Sequence, residues 1–203
     1  MTSTRIGIAL VAVVFFAVGC TPPGPPPVQR VGADTQIDLS GNWNDTDANQ
    51  VAKAMIADCL SRPWANQFKA AKGKNPVVKL YPIKNRSAEH IKAQYFTKQV
   101  EMELVNSGFV EVVAASNETD EARAEREDQS EHSSDATAKQ NQRETGADFI
   151  LNGWVVTQND AAGGQEVRAY VTTMELINVE TQRKVWLKVH RIKKVVSRPE
   201  SSW

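Results

Sequence analysis

The chain has 203 residues, lysine plus arginine equal to aspartate plus glutamate at 24 each, and 41% hydrophobic residues. That length suits one ordinary domain with extensions, and the apolar share excludes global disorder. Balanced charge, with no basic stretch interleaved with aromatics, argues against nucleic acid as a partner.

The N-terminus reads MTSTRIGIALVAVVFFAVGC. Arg5 gives it a positive start, Ile6 to Val18 is an uninterrupted apolar run, and Ala17, Val18 and Gly19 lead into Cys20. The run is short for a membrane-spanning helix and has the length of a signal-peptide core. Its closing residues resemble the bacterial lipobox. That resemblance implies a signal peptide over 1–19, cleavage before Cys20, and acylation of the Cys20 thiol with chains such as palmitate. An uncleaved anchor and an incidental cysteine are the competing readings. Thr21 stands where an aspartate would signal inner-membrane retention, so the expected location is the outer membrane, with the domain facing the periplasm. Each buried methylene contributes ~0.8 kcal/mol, so several acyl chains on one cysteine hold firmly.

Residues 20–36 are rich in proline and glycine and form a tether with no helix or packed strand. Its reach from Cys20 to Ile37 is at most ~55 Å. A single domain is expected over 37–203. Asn44 to Asp47 offer N-cap oxygens, and Val51, Ala52, Met55, Ile56, Cys59 and Leu60 recur at helical spacing. Pro63 ends that helix, Trp64 and Phe68 continue on a shorter one, and Gly73 stops it. Residues 76–81 read as a strand, 94–106 as a helix closed by Gly108, and 109–114 as a second strand. Residues 116–145 contain almost no large apolar side chains and read as a solvated helical pair, with Ser134 between its halves. Then come three strands, over 149–157, 167–177 and 184–196, separated by turns at 160–164 and 178–182. The first is apolar on both faces, as a central strand should be. Lysines 188, 193 and 194 suit an edge strand, where charge discourages pairing. The expected fold is α/β, in the α+β sense, with a mixed sheet of about four to five strands flanked by helices.

Four segments, at 37–60, 96–116, 144–155 and 171–196, resemble the LpoB family of outer-membrane lipoproteins. SGNWNDTD at the start and LINVETQRKVW near the end are the most specific parts. The strand opening at Gly146-Ala147-Asp148 resembles a wider group, including curli-secretion lipoproteins and the N-terminal domain of TolB. The resemblance implies a regulator that binds and activates a bifunctional penicillin-binding protein in peptidoglycan synthesis, with no catalysis of its own. Two features depart from the family: the tether is short for crossing a periplasm, and Gln140-Asn141-Gln142 is more polar. The alternative is a structural or secretion-accessory envelope lipoprotein that assembles with outer-membrane partners or itself.

No phosphate loop, zinc-protease motif or nucleophile elbow occurs. Nothing pairs Glu89, Glu101 and Glu103 as acid and base, and no cofactor, metal or catalytic residue is expected. His90, His132 and His190 are scattered. Asp128, Glu131 and His132 have metal-type spacing but lie in a segment crowded with charge, where a solvated face is the plainer reading. Cys59, on an apolar helical face, reads as a buried structural thiol. Trp43 and Trp64 should pack on the first helix, and Trp154 and Trp186 read as strand core. Whichever tryptophan is exposed becomes a candidate partner anchor.

Overall fold

A computed structural model describes residues 24, 28–32, 35–115, 118–141 and 143–197. The expected signal peptide and Cys20 lie outside the described residues. The chain divides into two units, 1–33 and 34–203. The described residues of the first are exposed and without regular structure. Among the described residues, no helix is long and apolar enough to cross a membrane.

Helix α1 spans Asp45–Ser61 and begins with a reciprocal cap. The Asn44 side chain accepts from the Asp47 amide at 3.0 Å, and the Asp47 carboxylate accepts from the Asn44 amide at 2.9 Å. Two orphan amides are thereby satisfied. Helix α2, Trp64–Lys72, and helix α3, Ala93–Ser107, both end at glycines in the left-handed region, Gly73 at φ 72° and Gly108 at φ 68°. A Cβ is disfavoured at such a φ, so these glycines are helix stops.

Strands β1 (Val77–Leu80), β2 (Lys84–Asn85), β3 (Glu111–Val113), β4 (Phe149–Ala162), β5 (Gln165–Asn178) and β6 (Lys184–Ser197) form one mixed sheet. Its order is β3-β1-β4-β5-β6, and β2 prolongs the β1 lane by pairing with β4 at Trp154 and Val155. The β1, β2 and β3 pairings are parallel, and β4-β5-β6 is an antiparallel meander. The β4–β5 connection is the two-residue loop Gly163-Gly164, with φ 57° and 76°. Positive φ at both positions suits the strand twist, so the hairpin arms run longer than the turn expected over 160–164.

The core lies between α1, α2, α3 and one face of the sheet. Phe149, Leu151 and Val155 from β4, Tyr170, Met174 and Leu176 from β5, and Trp186 from β6 are buried there with Met55, Ile56, Phe96 and Val100. Trp43 meets Phe96 and Tyr170 edge-on at 5.6 and 5.5 Å between ring centroids, and Trp64 meets Phe149 at 5.0 Å. Gly153 lies in this layer because a Cβ there would come within 2.7 Å of Met174 Cγ and 2.8 Å of the Thr173 carbonyl.

The charged segment departs from its expected helical pair. Among the described residues one α-helix forms there, α4 over Thr119–His132, with no buried residue. Ser134 opens only a turn, its carbonyl accepting from the Thr137 and Ala138 amides. What orders the segment is ionic: Arg123 and Arg126 converge on Glu144 at 2.9 and 2.6 Å, and Lys98 pairs with Glu118. Strand β2 was not expected, because two polar residues beside Pro82 have no strand pattern of their own.

Candidate functional site

The strand period of two sorts β4, β5 and β6 into a face under the helices and a face without them. The register puts Trp186, Lys188, His190, Ile192 and Lys194 on the first, and Leu187, Val189, Arg191, Lys193 and Val195 on the second.

On the helix side, each lysine of β6 meets carboxylates. Lys188 reaches Asp58 at 2.7 Å. Asp58 also accepts from Trp186 Nε1 at 2.8 Å and pairs with Arg62 at 2.8 Å. These partners, Lys188 first, hold the Asp58 carboxyl well below the usual carboxylate range. Lys194 binds Asp38 and Asp47, both at 2.7 Å, and the Asn42 carbonyl at 3.0 Å. Burial opposes its charge, but the hydrogen bonds to Asp38 and Asp47 outweigh that and raise its pKa. The same bond from Lys194 brings Asp38 down to about 2. The Tyr170 hydroxyl, donating to the Gly41 carbonyl at 2.8 Å or to Glu89 Oε2 at 2.7 Å, completes a strap formed by residues 36–44. The edge-strand reading of the lysines is therefore corrected. β6 is the edge, but Lys188 and Lys194 clamp α1 and the strap, and Lys193 alone of the three is exposed.

The other face is different in kind. Trp154 sits there partly exposed, with the Arg86 guanidinium 4.7 Å above its ring. Its neighbours across the strands are Thr173 and Val189, and the next row is Val156, Val171 and Arg191. Leu187 and Val195 are 54% and 65% exposed. A cleft of about 460 Å³ opens beside Trp154, bordered by Tyr81, Arg86, Ile150, Asn152 and Glu175. Glu175 is buried and pairs with Lys184 at 2.5 Å. Lys84, Arg86, Arg191 and Lys193 have no carboxylate within salt-bridge distance among the described residues, and Asp160 is the one carboxylate of these rows in the same condition. At the β1–β3 end, α4 borders a separate cleft of about 610 Å³ with Lys79 and Val113.

The other residues singled out from the sequence are not drawn together. His132 lies 3.8 Å from Asp128 and 3.9 Å from Glu131, all three strongly exposed. Glu101 pairs with Lys98, and Glu89 accepts from Tyr170, so the glutamates form no acid–base pair. His190 lies under the helices, where burial and then Lys188 lower its pKa. Cys59 is buried, and burial pushes its thiol up to about 12, the wrong direction for a nucleophile. Trp43, Trp64 and Trp186 pack in or against the core. Trp154, expected as strand core, is the partly exposed one.

A family model described as the peptidoglycan-synthase activator LpoB matches residues 47–192. Among solved structures, the chain is similar to the LpoB C-terminal domain from Salmonella enterica, at 16% identity over 73% of this chain and 99% of that one, with a TM-score of 0.45. It is also similar to E. coli LpoB, at 15% identity over 96% and 94% of the two chains, with a TM-score of 0.42. A PelC dodecamer from Paraburkholderia phytofirmans aligns at 17% identity over 59% and 71%, with a TM-score of 0.35. No curated protein matches the sequence.

Proposed function

Because the chain belongs to the LpoB family, the peptidoglycan-synthase activators, whose model spans residues 47–192, we propose that it binds a bifunctional penicillin-binding protein and activates it. The family match carries this reading, since it runs from α1 through most of β6. The protein acts by differential affinity: it binds the active conformation of the synthase more tightly and raises that population. It turns over no substrate itself. The signal peptide 1–19 is removed, acylated Cys20 anchors the chain in the outer membrane, residues 20–36 are the tether, and 37–203 is the domain that meets the partner.

Glycan polymerisation by the purified synthase, with and without the protein, tests the proposal. The rate should rise with added protein and saturate. An unchanged rate, or hydrolysis or transfer by the protein alone, would refute it. The short tether favours a second reading. With a reach of at most ~55 Å, the domain stays near the outer membrane and serves as a structural or secretion accessory there. Self-association of the protein at micromolar concentration, without any effect on the synthase, would support that reading.

A further inference from the structure

We infer that the helix-free face of the sheet, centred on Trp154 beneath Arg86, is the surface that docks on the synthase, and that it takes an apolar protein patch bordered by carboxylates. This rests on the synthase-activator reading and adds the place of contact and the partner's chemistry.

Strand β6 treats the cations of its two faces differently. Both β6 lysines that point toward the helices are neutralised, Lys188 by Asp58 and Lys194 by Asp38 and Asp47. On the opposite face of the same strand, Arg191 and Lys193 have no carboxylate partner among the described residues, and Lys84 and Arg86 at the other border have none either. The fold therefore pairs both lysines under the helices and leaves these four cations without an acid on the other face, where Glu175 is taken up by Lys184. A carboxylate-bordered partner would provide the missing counter-charges.

Between those cations the surface is apolar. Trp154, Val156, Val171 and Val189 occupy adjoining rows, and Leu187 and Val195 are more than half exposed. An arginine held over a tryptophan is a rigid pair of the residue types enriched in binding hot spots, and little side-chain freedom remains to be lost on docking. The cleft beside it, about 460 Å³ with Asn152 and Glu175 on its wall, can receive one side chain of the partner. The cleft argues for protein over lipid: it is a shaped recess rather than a flat surface, and Asn152 on its wall offers a directional amide.

The test uses the full chain in detergent and a purified bifunctional penicillin-binding protein from the same bacterium, with binding followed by interferometry. Trp154→Ala should weaken binding about tenfold or more. The double variant Arg191→Glu/Lys193→Glu, at exposed positions that carry no core, should weaken it by about as much and flatten its dependence on salt. Glu127→Lys/Asp128→Lys, on exposed α4, should change affinity less than about twofold. Wild type that binds while both face variants bind equally well would place the contact elsewhere and overturn the inference alone. Wild type that fails to bind the synthase would overturn the activator reading, and the inference with it. Two further results would replace the occupant and overturn the inference: self-association lost in both the face and α4 variants, which would identify a second copy, and sedimentation with phosphatidylglycerol vesicles lost in the face variants, which would identify lipid.

Discussion

The two faces of the β4-β5-β6 meander are made from alternate residues of the same strands, yet they obey different rules. Under the helices, most apolar side chains are buried and both lysines of β6 meet acids from α1 or the strap. On the other side, apolar side chains stay partly exposed, and Lys84, Arg86, Arg191 and Lys193 stand without acids among the described residues. Burial forces the first arrangement, because an unpaired charge in a low-dielectric core is costly. Nothing forces the second, since water solvates an exposed guanidinium or ammonium at little cost. The contrast separates what the fold requires from what it leaves free for a partner.

Core truncation should break the comparison most violently. Phe96 is fully buried and packs on Trp43 at 5.6 Å, so Phe96→Ala should cost about 3–5 kcal/mol in urea unfolding. Trp154→Ala, a larger truncation on the uncovered face, should cost only about 1 kcal/mol. Equal losses would mean that the second face is structural.

Adjacent residues sharpen it further. Lys194 is 10% exposed between Asp38 and Asp47, so Lys194→Met leaves a buried carboxylate without its cation and should cost about 3 kcal/mol. Lys193 is exposed and has no acid partner among the described residues, so Lys193→Met should stay within about 0.5 kcal/mol of wild type. Two lysines side by side in sequence would then differ in stability effect because of strand parity alone.

A smaller effect is expected at the thiol. Cys59 is buried in α1 with its pKa near 12, so a thiol reagent at pH 8 should label it only after unfolding. Rapid labelling of the folded protein would show that α1 is less firmly packed on the sheet than its burial implies.

Much of this was legible in the chain. Gly73, Gly108 and Gly163-Gly164 are punctuation whose cause is local, and each stops or turns an element as its backbone requires. The apolar face of α1 was equally plain. What was hidden is tertiary. Lys188 and Lys194 resemble edge-strand charges because Asp58 and Asp38 lie more than a hundred residues away along the chain. Strand β2 exists only by pairing with β4. The half of 116–145 that follows Ser134 is helical by expectation, and ion pairs to Glu144 hold it without a second helix among the described residues. Trp154 is one of five tryptophans, and the sequence does not say which is exposed. The clue was parity: Phe149, Leu151, Gly153 and Val155 share one face of β4, and Trp154 falls on the other. Parity shows which residues share a face, but only the packed helices show which face is covered.

The finest test is the acid limb of stability. Asp58 and Asp38 both have folded pKa values below the ordinary carboxylate value, through Lys188 and Lys194 respectively, with Asp38 at about 2. A depressed folded pKa means that the ionised form is favoured by folding. The contribution is therefore present above the unfolded value of ~4 and is lost as pH falls from there, through about 2 for Asp38. Wild-type stability should decline steadily as pH drops below ~4. Asp58→Asn should lower stability at pH 7 and leave it nearly unchanged at pH 2, which flattens the limb. Arg191→Met/Lys193→Met should leave the limb as steep as in wild type, because those two cations have no carboxylate within salt-bridge distance among the described residues. If the double variant flattened the acid limb as Asp58→Asn does, the cations of that face would be paired within the fold, and their availability to an acidic partner would be lost.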